Sequence, residues 1–143
     1  MNIMKLCQII FVLFSFMLIS CSSTSKTEIL QNQNGNFVLY VSDQSFAISP
    51  VDVKIFIDDK LAIDDKFRVG NQHNWKEFIF QLEKGNHTLR AISIKGEATL
   101  EEQFEVKDRH WAVLDYWYYP ETHYSPTLKH FNFRVQDSQI GFM

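Results

Sequence analysis

Five of the eight Trp and Tyr residues of this chain fall between His110 and Tyr119. Flat rings set among hydrogen-bonding groups can stack on sugar rings or dock a loop of another protein. Alternation decides which of these rings point the same way. In the stretch from Leu128 to Gln136, Phe131, Phe133 and Val135 share one face, and His130, Asn132 and Arg134 share the other. If residues 120–127 are a loop that sets Tyr119 opposite Leu128, Tyr116 meets Phe131, Leu114 meets Phe133 and Ala112 meets Val135. That is a consistent core face. A slip of one residue would drive Asp115, Asn132 and Arg134 into the core at high cost. The opposite, outward face then carries Trp111, Asp115, Trp117 and Tyr119 beside His130, Asn132 and Arg134, the candidate binding residues. Neighbours on one face of a strand stand about 6.6–6.8 Å apart, a spacing suited to ring stacking. The competing expectation is that the chain covers these rings itself, with the residues after Gln136 or the segment 29–36.

No other constellation carries catalytic chemistry, and no catalytic residue, metal ligand or cofactor is assigned. Asp58, Asp59, Asp64 and Asp65 supply the oxygens a hard cation wants, but they lack the D-x-D-x-D-G spacing and read as hairpin turn residues. His73, His87, His110, His123 and His130 show no helical pairing and have no cysteine partners. A metal held by His110, His123 and His130 is the one convergence the sequence allows. His87 reads as a structural turn residue. No serine sits in a G-x-S-x-G elbow.

The elements that must position the candidate face are strands. Val51, Val53, Ile55 and Ile57 alternate with Asp52, Lys54, Phe56 and Asp58. Asp58-Asp59-Lys60 turns. Phe37–Val41, Leu61–Ile63, Glu77–Leu82, His87–Lys95, Ala98–Val106, His110–Tyr119 and Leu128–Gln136 supply the rest. Phe80 and Phe133 point inward. About seven or eight short strands predict an all-β chain, an antiparallel β-sandwich forming one domain over 36–143. Net charge is −3, which argues against partners such as nucleic acid that are bound by neutralising phosphates.

Residues 1–20 read as an export signal. One positive charge, Lys5, precedes an apolar run from Leu6 to Ile19 that is too short for a comfortable bilayer span. The run ends Leu18-Ile19-Ser20-Cys21, which resembles the lipobox of bacterial lipoproteins. The resemblance implies cleavage before Cys21, lipidation of Cys21, and anchoring to the cell envelope; Ser22 after it implies the outer membrane. Cys7 lies in the removed segment, so the mature chain has no free thiol or disulfide. Residues 21–35 read as the lipidated cysteine and a small, polar tether.

Val53-Lys54-Ile55-Phe56-Ile57-Asp58-Asp59-Lys60 resembles the V-x-V-x-I-D-G-K hairpin of PEGA-type domains. Leu82 to Ala91 resembles their L-x-x-G-x-H-x-L-x-A element, which also recurs in Ig-like folds. The likeness covers residues 53–95, departs at Asp59 where glycine is usual, and implies a PEGA-like or Ig-like sandwich without a shared active site. Gly85 is placed to take positive φ in the turn. The expectation for function is a lipid-anchored accessory or binding protein of the envelope with an envelope protein as partner. The alternatives are a glycan-binding lipoprotein that uses the aromatic face, and a small hydrolase or metal-dependent enzyme.

Overall fold

The computed structural model describes residues 28–70, 75–120 and 128–141. They form eight strands: β1 (Phe37–Asp43), β2 (Val51–Ile57), β3 (Lys60–Phe67), β4 (Lys76–Phe80), β5 (Gly85–Ser93), β6 (Ala98–Val106), β7 (His110–Trp117) and β8 (His130–Gln136). Two four-stranded sheets, ordered β4-β1-β7-β8 and β3-β2-β5-β6, pack as a β-sandwich.

Alternation builds both inner faces. Val51, Val53, Ile55 and Ile57 are fully buried in β2, and Leu89 and Ala91 in β5. They meet Phe37, Leu39 and Val41 of β1 and Ala112, Leu114 and Tyr116 of β7, all buried in the same core. Phe37 stacks on Phe104 with ring centroids 4.7 Å apart. Every pairing between two of the eight strands is antiparallel except one: β1 and β7 run parallel, Phe37 beside His110 through Asp43 beside Tyr116. Five strands lie between these two in sequence, so the chain has ample length to return in the same direction.

The connections segregate to two ends. At one end lie the β1–β2 loop, the β5–β6 turn and the approach to β8. Lys95 Nζ donates to the Pro50 carbonyl at 2.6 Å, Tyr116 Oη donates to the Gly96 carbonyl at 2.9 Å, and Lys129 pairs with Glu97 at 2.9 Å. At the other end lie the β2–β3, β4–β5 and β6–β7 turns, joined by the Lys84–Asp108 pair at 2.8 Å.

Residues 28–35, grouped with the tether in the sequence reading, and Asn36 lie against this second end. Ile29 N–H donates to the Leu61 carbonyl of β3 at 2.9 Å, and Asn32 N–H to the Ile79 carbonyl of β4 at 2.8 Å. Asn36 exchanges two hydrogen bonds with the Leu82 backbone. The segment therefore closes the side where the edges of the two sheets, β3 and β4, face each other. Gly35 permits the close approach, since a Cβ there would stand 2.2 Å from the Phe80 carbonyl oxygen.

The β2–β3 turn uses Asp58 and Asp59, both at positive φ (49° and 61°), the backbone that a two-residue hairpin of this hand requires. Gly85 has φ 132°. Asp58 Oδ1 accepts the Thr88 N–H at 3.0 Å, and its Oδ2 lies 2.6 Å from His87 Nδ1; His87 Nε2 lies 2.8 Å from the Glu83 carbonyl. Burial pulls the His87 pKa down, but the Asp58 carboxylate and the Glu83 carbonyl outweigh it and raise the pKa. Burial likewise pushes Asp58 up, and the Thr88 N–H and His87 overcome it, leaving Asp58 lowered.

The raised histidine stabilises the fold fully below its unfolded pKa of about 6.5, and that contribution is lost as pH rises through the higher folded value. The lowered aspartate stabilises above about 3.9, and that contribution is lost as pH falls through the lower folded value. Exposure of Asp58 moderates both effects. The expected result is that wild type out-melts His87→Gln by a margin widest between about pH 4 and 6.5 that narrows on either side. Thermal melts of both proteins from pH 3 to 9 check this, and a margin unchanged between pH 6 and 9 contradicts it.

Candidate functional site

The pairing of β7 with β8 is the one that parity predicts: Ala112 with Val135, Leu114 with Phe133, Tyr116 with Phe131 and Trp117 with His130. Ala112, Leu114 and Tyr116 are wholly buried and Phe131 nearly so; Phe133 and Val135 are half-buried because β8 is an edge strand. The outward face extends across the sheet in rows. Ser42, Asp115 and Asn132 form one, Tyr40, Val113 and Arg134 the next, and Val38, Trp111 and Gln136 the last.

Near the upper rows the face hollows into a groove of about 470 Å³, lined by Gln44, Trp75, Asp115, Trp117, His130, Asn132 and Arg134. Five of the seven residues placed on this face by sequence are thus brought together. Asp115 is the floor rather than an exposed contact, being only 4% exposed. Its Oδ1 accepts the Ser42 hydroxyl at 2.7 Å and the Trp75 indole N–H at 2.9 Å, and Gln44 Nε2 donates to the Ser42 oxygen at 2.7 Å. The carboxylate desolvated by this packing is held by donors on two sides, and it fixes the Trp75 ring at the groove wall.

Around this floor stand the groups free to contact a ligand. Trp117 is half-buried, with its ring centroid 5.9 Å from that of Tyr119. Tyr119 is 46% exposed and lies just past the end of β7. His130 uses Nδ1 on the Leu128 carbonyl at 2.9 Å, which leaves Nε2. Arg134 is exposed and forms no ion pair among the described residues. The groove therefore offers an aromatic wall, an amide, an imidazole and a guanidinium. It suits recognition of a segment that stacks, accepts hydrogen bonds and carries negative charge.

Two expectations are corrected. Trp111 does not join the site: it lies at the far end of β7, about 20 Å along the strand from Trp117, with the Arg109 guanidinium 5.6 Å from its ring centroid. Of the described residues, neither the segment 29–36 nor 137–141 lines the groove; Trp75, just before β4, is the one that reaches over it to Asp115. Trp75, Gln44 and Ser42 were absent from the sequence reading. Ser42 follows from the β1 alternation once β1 is set beside β7, but Trp75 stands in a segment with no alternation to orient it.

The remaining candidates separate. Asp64 pairs with Lys54 at 2.6 Å and Asp65 with Lys76 at 2.7 Å, while Asp58 and Asp59 form the turn. His110 and His130 begin strands at opposite ends of the sandwich. His110 Nε2 accepts the Lys107 N–H at 3.0 Å; its Nδ1 is 2.9 Å from an Asp137 oxygen but without hydrogen-bond geometry. No grouping of three or more His, Cys, Asp or Glu suited to a metal occurs among the described residues. Cys21, His73 and His123 lie outside them. Compared with protein families, characterised proteins and solved structures, the chain matches none.

Proposed function

We propose that this chain is an exported, lipid-anchored β-sandwich protein of the bacterial cell envelope that acts by binding, with the Trp117 groove as its contact for a partner protein. The observation that carries this reading is the gathering of Trp117, His130, Asn132 and Arg134 around a pre-set floor of Asp115, Ser42 and Trp75. An anchored protein needs a rigid recognition surface, and side chains on strands supply one. The lipobox ending at Cys21 supports the anchor and the outer membrane as its place, and the turn chemistry of Asp58, Gly85 and His87 supports a PEGA-like or Ig-like sandwich.

A second reading, glycan binding, draws on the two tryptophans that wall the same groove beside polar groups. A photo-crosslinking residue at Asn132, introduced in the native host, distinguishes them. Protein adducts that disappear in Trp117→Ala support the protein reading; adducts released by glycan-cleaving enzymes support the other. Trp117→Ala is expected to weaken binding by about 2 kcal/mol or more while barely changing the melting temperature. A variant that loses several kcal/mol of stability instead assigns the ring to the fold's own packing.

The anchor has its own expected outcome. Mass spectrometry of protein extracted from membranes should find Cys21 acylated at the N-terminus. Cys21→Ala should abolish both lipid and cleavage at that site. An unmodified Cys21 in the mature protein defeats the lipoprotein reading.

A further inference from the structure

The outer edges of the two sheets are β3, β4, β6 and β8. An edge presents backbone N–H and C=O groups that a further strand can pair with, and native folds blunt it with cover, charge or bends. Three of these edges are blunted. Residues 28–36 reach over β3 and β4, with the Ile29 N–H on the Leu61 carbonyl and the Asn32 N–H on the Ile79 carbonyl. β6 carries exposed Glu101, Glu102 and Glu105, and Glu102 shares the inward parity of Leu100 and Phe104, a charge that repels an incoming strand. β8 has neither device. Among its seven residues Arg134 is the one permanent charge, none is Pro or Gly, and its pairing with β7 has no bulge. Among the described residues no strand or bridge pairs with its outer edge.

The residues of β8 fit an antiparallel copy of themselves. Setting Phe133 against the partner's Phe133 places Phe131 against the partner's Val135 on the inner face. On the outer face it places Asn132 against the partner's Arg134 and His130 against the partner's Gln136. Just past the strand ends, Lys129 comes level with the partner's Asp137. Apolar meets apolar, and no like charges stand opposite. Other registers fail. A slip of one residue sets Phe131 and Phe133 among the outward polar row. A slip of two sets Arg134 against the partner's Arg134 in one direction, and His130 against the partner's Arg134 in the other. The hollow beside Phe133 holds acids and bases together, Glu102, Glu105 and Asp137 with Lys107 and Arg134, so two copies do not bring a single sign against itself there.

We propose that β8 pairs antiparallel with β8 of a second copy of this chain, Phe133 against the partner's Phe133, joining two β4-β1-β7-β8 sheets into one sheet of eight strands. The row Ser42, Asp115 and Asn132 is then continued by the partner's Arg134, so each copy's groove gains a guanidinium from the other. A seam of one strand on one strand is smaller than the roughly 1,200–2,000 Å² that stable complexes bury, so the pair forms and parts with concentration. In dilute solution the chain is a monomer and Phe133 keeps its open side. Confinement of anchored chains to one membrane surface raises their effective concentration and favours the pair. The pairing does not depend on what the groove binds, and it is measured without a ligand.

The test mixes two differently tagged, detergent-solubilised full-length chains, one Asn132→Cys and the other Arg134→Cys, over a range of concentrations under mild oxidation. Opposed residues of an antiparallel pair have Cα atoms about 4.5–5.5 Å apart, within reach of a disulfide, whereas same-position residues here lie on the diagonal at about 7–8 Å. The mixed link is expected to form about fivefold faster or more than either same-position link, and faster as concentration rises. The wild-type chain, with its own Cys7 and Cys21, sets the background. Mixed links no faster than same-position links, or none above that background, overturn the proposal. A second arm measures the dimer by sedimentation. Asn132→Lys sets two like-charge pairs across the seam and should raise the dimer Kd about tenfold; adding Arg134→Asp to the same chain should restore it. A Kd that Asn132→Lys leaves unchanged, or that Arg134→Asp fails to restore, overturns the pairing. With a photo-crosslinking residue at Asn132, the pair yields a two-copy adduct that persists in Trp117→Ala, whereas capture in the groove is lost there. Failure of the pairing and failure of the groove reading are thereby distinguished.

Discussion

Phe80→Ala is expected to destabilise the sandwich by about 3–5 kcal/mol, and Phe133→Ala by only about 1–2 kcal/mol. Both phenylalanines point inward from strands of the same sheet, so parity alone treats them alike. Phe80 is 0% exposed and stands opposite Phe37, with residues 28–36 crossing its outer side. Truncating it leaves a void that backbone on both sides prevents from collapsing. Phe133 lies on the edge strand β8, meets Phe104 edge-on at 5.8 Å, and borders the open side between β6 and β8, where water can fill the space left. Urea unfolding followed by circular dichroism should show the Phe80→Ala midpoint falling much further, with the slope unchanged in both variants. Equal losses would mean that the β6–β8 side is as tightly closed as the β3–β4 side.

That contrast also marks what a sequence can and cannot carry. Period-two alternation has a sharp energetic consequence, because one slipped residue would bury Asp115, Asn132 and Arg134. Side-chain types therefore made the two faces of β7 and β8 legible, while the register, down to Trp117 opposite His130, came from setting Tyr119 opposite Leu128, because a slip of two residues would keep the same faces. The turns were legible too, since Asp58, Asp59 and Gly85 advertise the backbone they adopt. Alternation says nothing about which strand lies beside which. The parallel neighbour β1, which brings Ser42 to Asp115, is a long-range choice made by the whole core.

The same blindness explains the two misplacements on the face. Trp111 and Trp117 share a parity, yet a strand length separates them, so a common face is not a common site. Trp75 precedes β4 in a stretch without alternation, and only the assembled sheet shows its indole reaching Asp115. Residues 28–35 look like tether because they are short on apolar side chains. Their hold on the sandwich comes from backbone hydrogen bonds and the absence of a Cβ at Gly35, neither of which a hydropathy pattern displays.

Asp115→Ala is expected to cost about 3 kcal/mol of stability and to unseat the groove, whereas Trp117→Ala, a few ångströms away, costs little. The asymmetry follows from what each side chain satisfies. Removing the carboxylate leaves the buried Ser42 hydroxyl without its acceptor and the Trp75 indole N–H without a partner at that oxygen; each hydrogen bond to a charged acceptor contributes about 1.5–3 kcal/mol. Part of that loss is recovered when Trp75 swings into water, so the net effect falls near the lower sum. Trp75 should then report the change directly, with its indole N–H resonance shifting and broadening in NMR and its emission moving to the red. Asp115→Asn keeps an oxygen acceptor for both donors and should retain most of the stability and the Trp75 signal. If Asp115→Ala instead melts within a degree of wild type with the Trp75 resonance unmoved, the floor is not what holds the groove in shape, and the pre-set recognition surface on which the binding reading depends is lost with it.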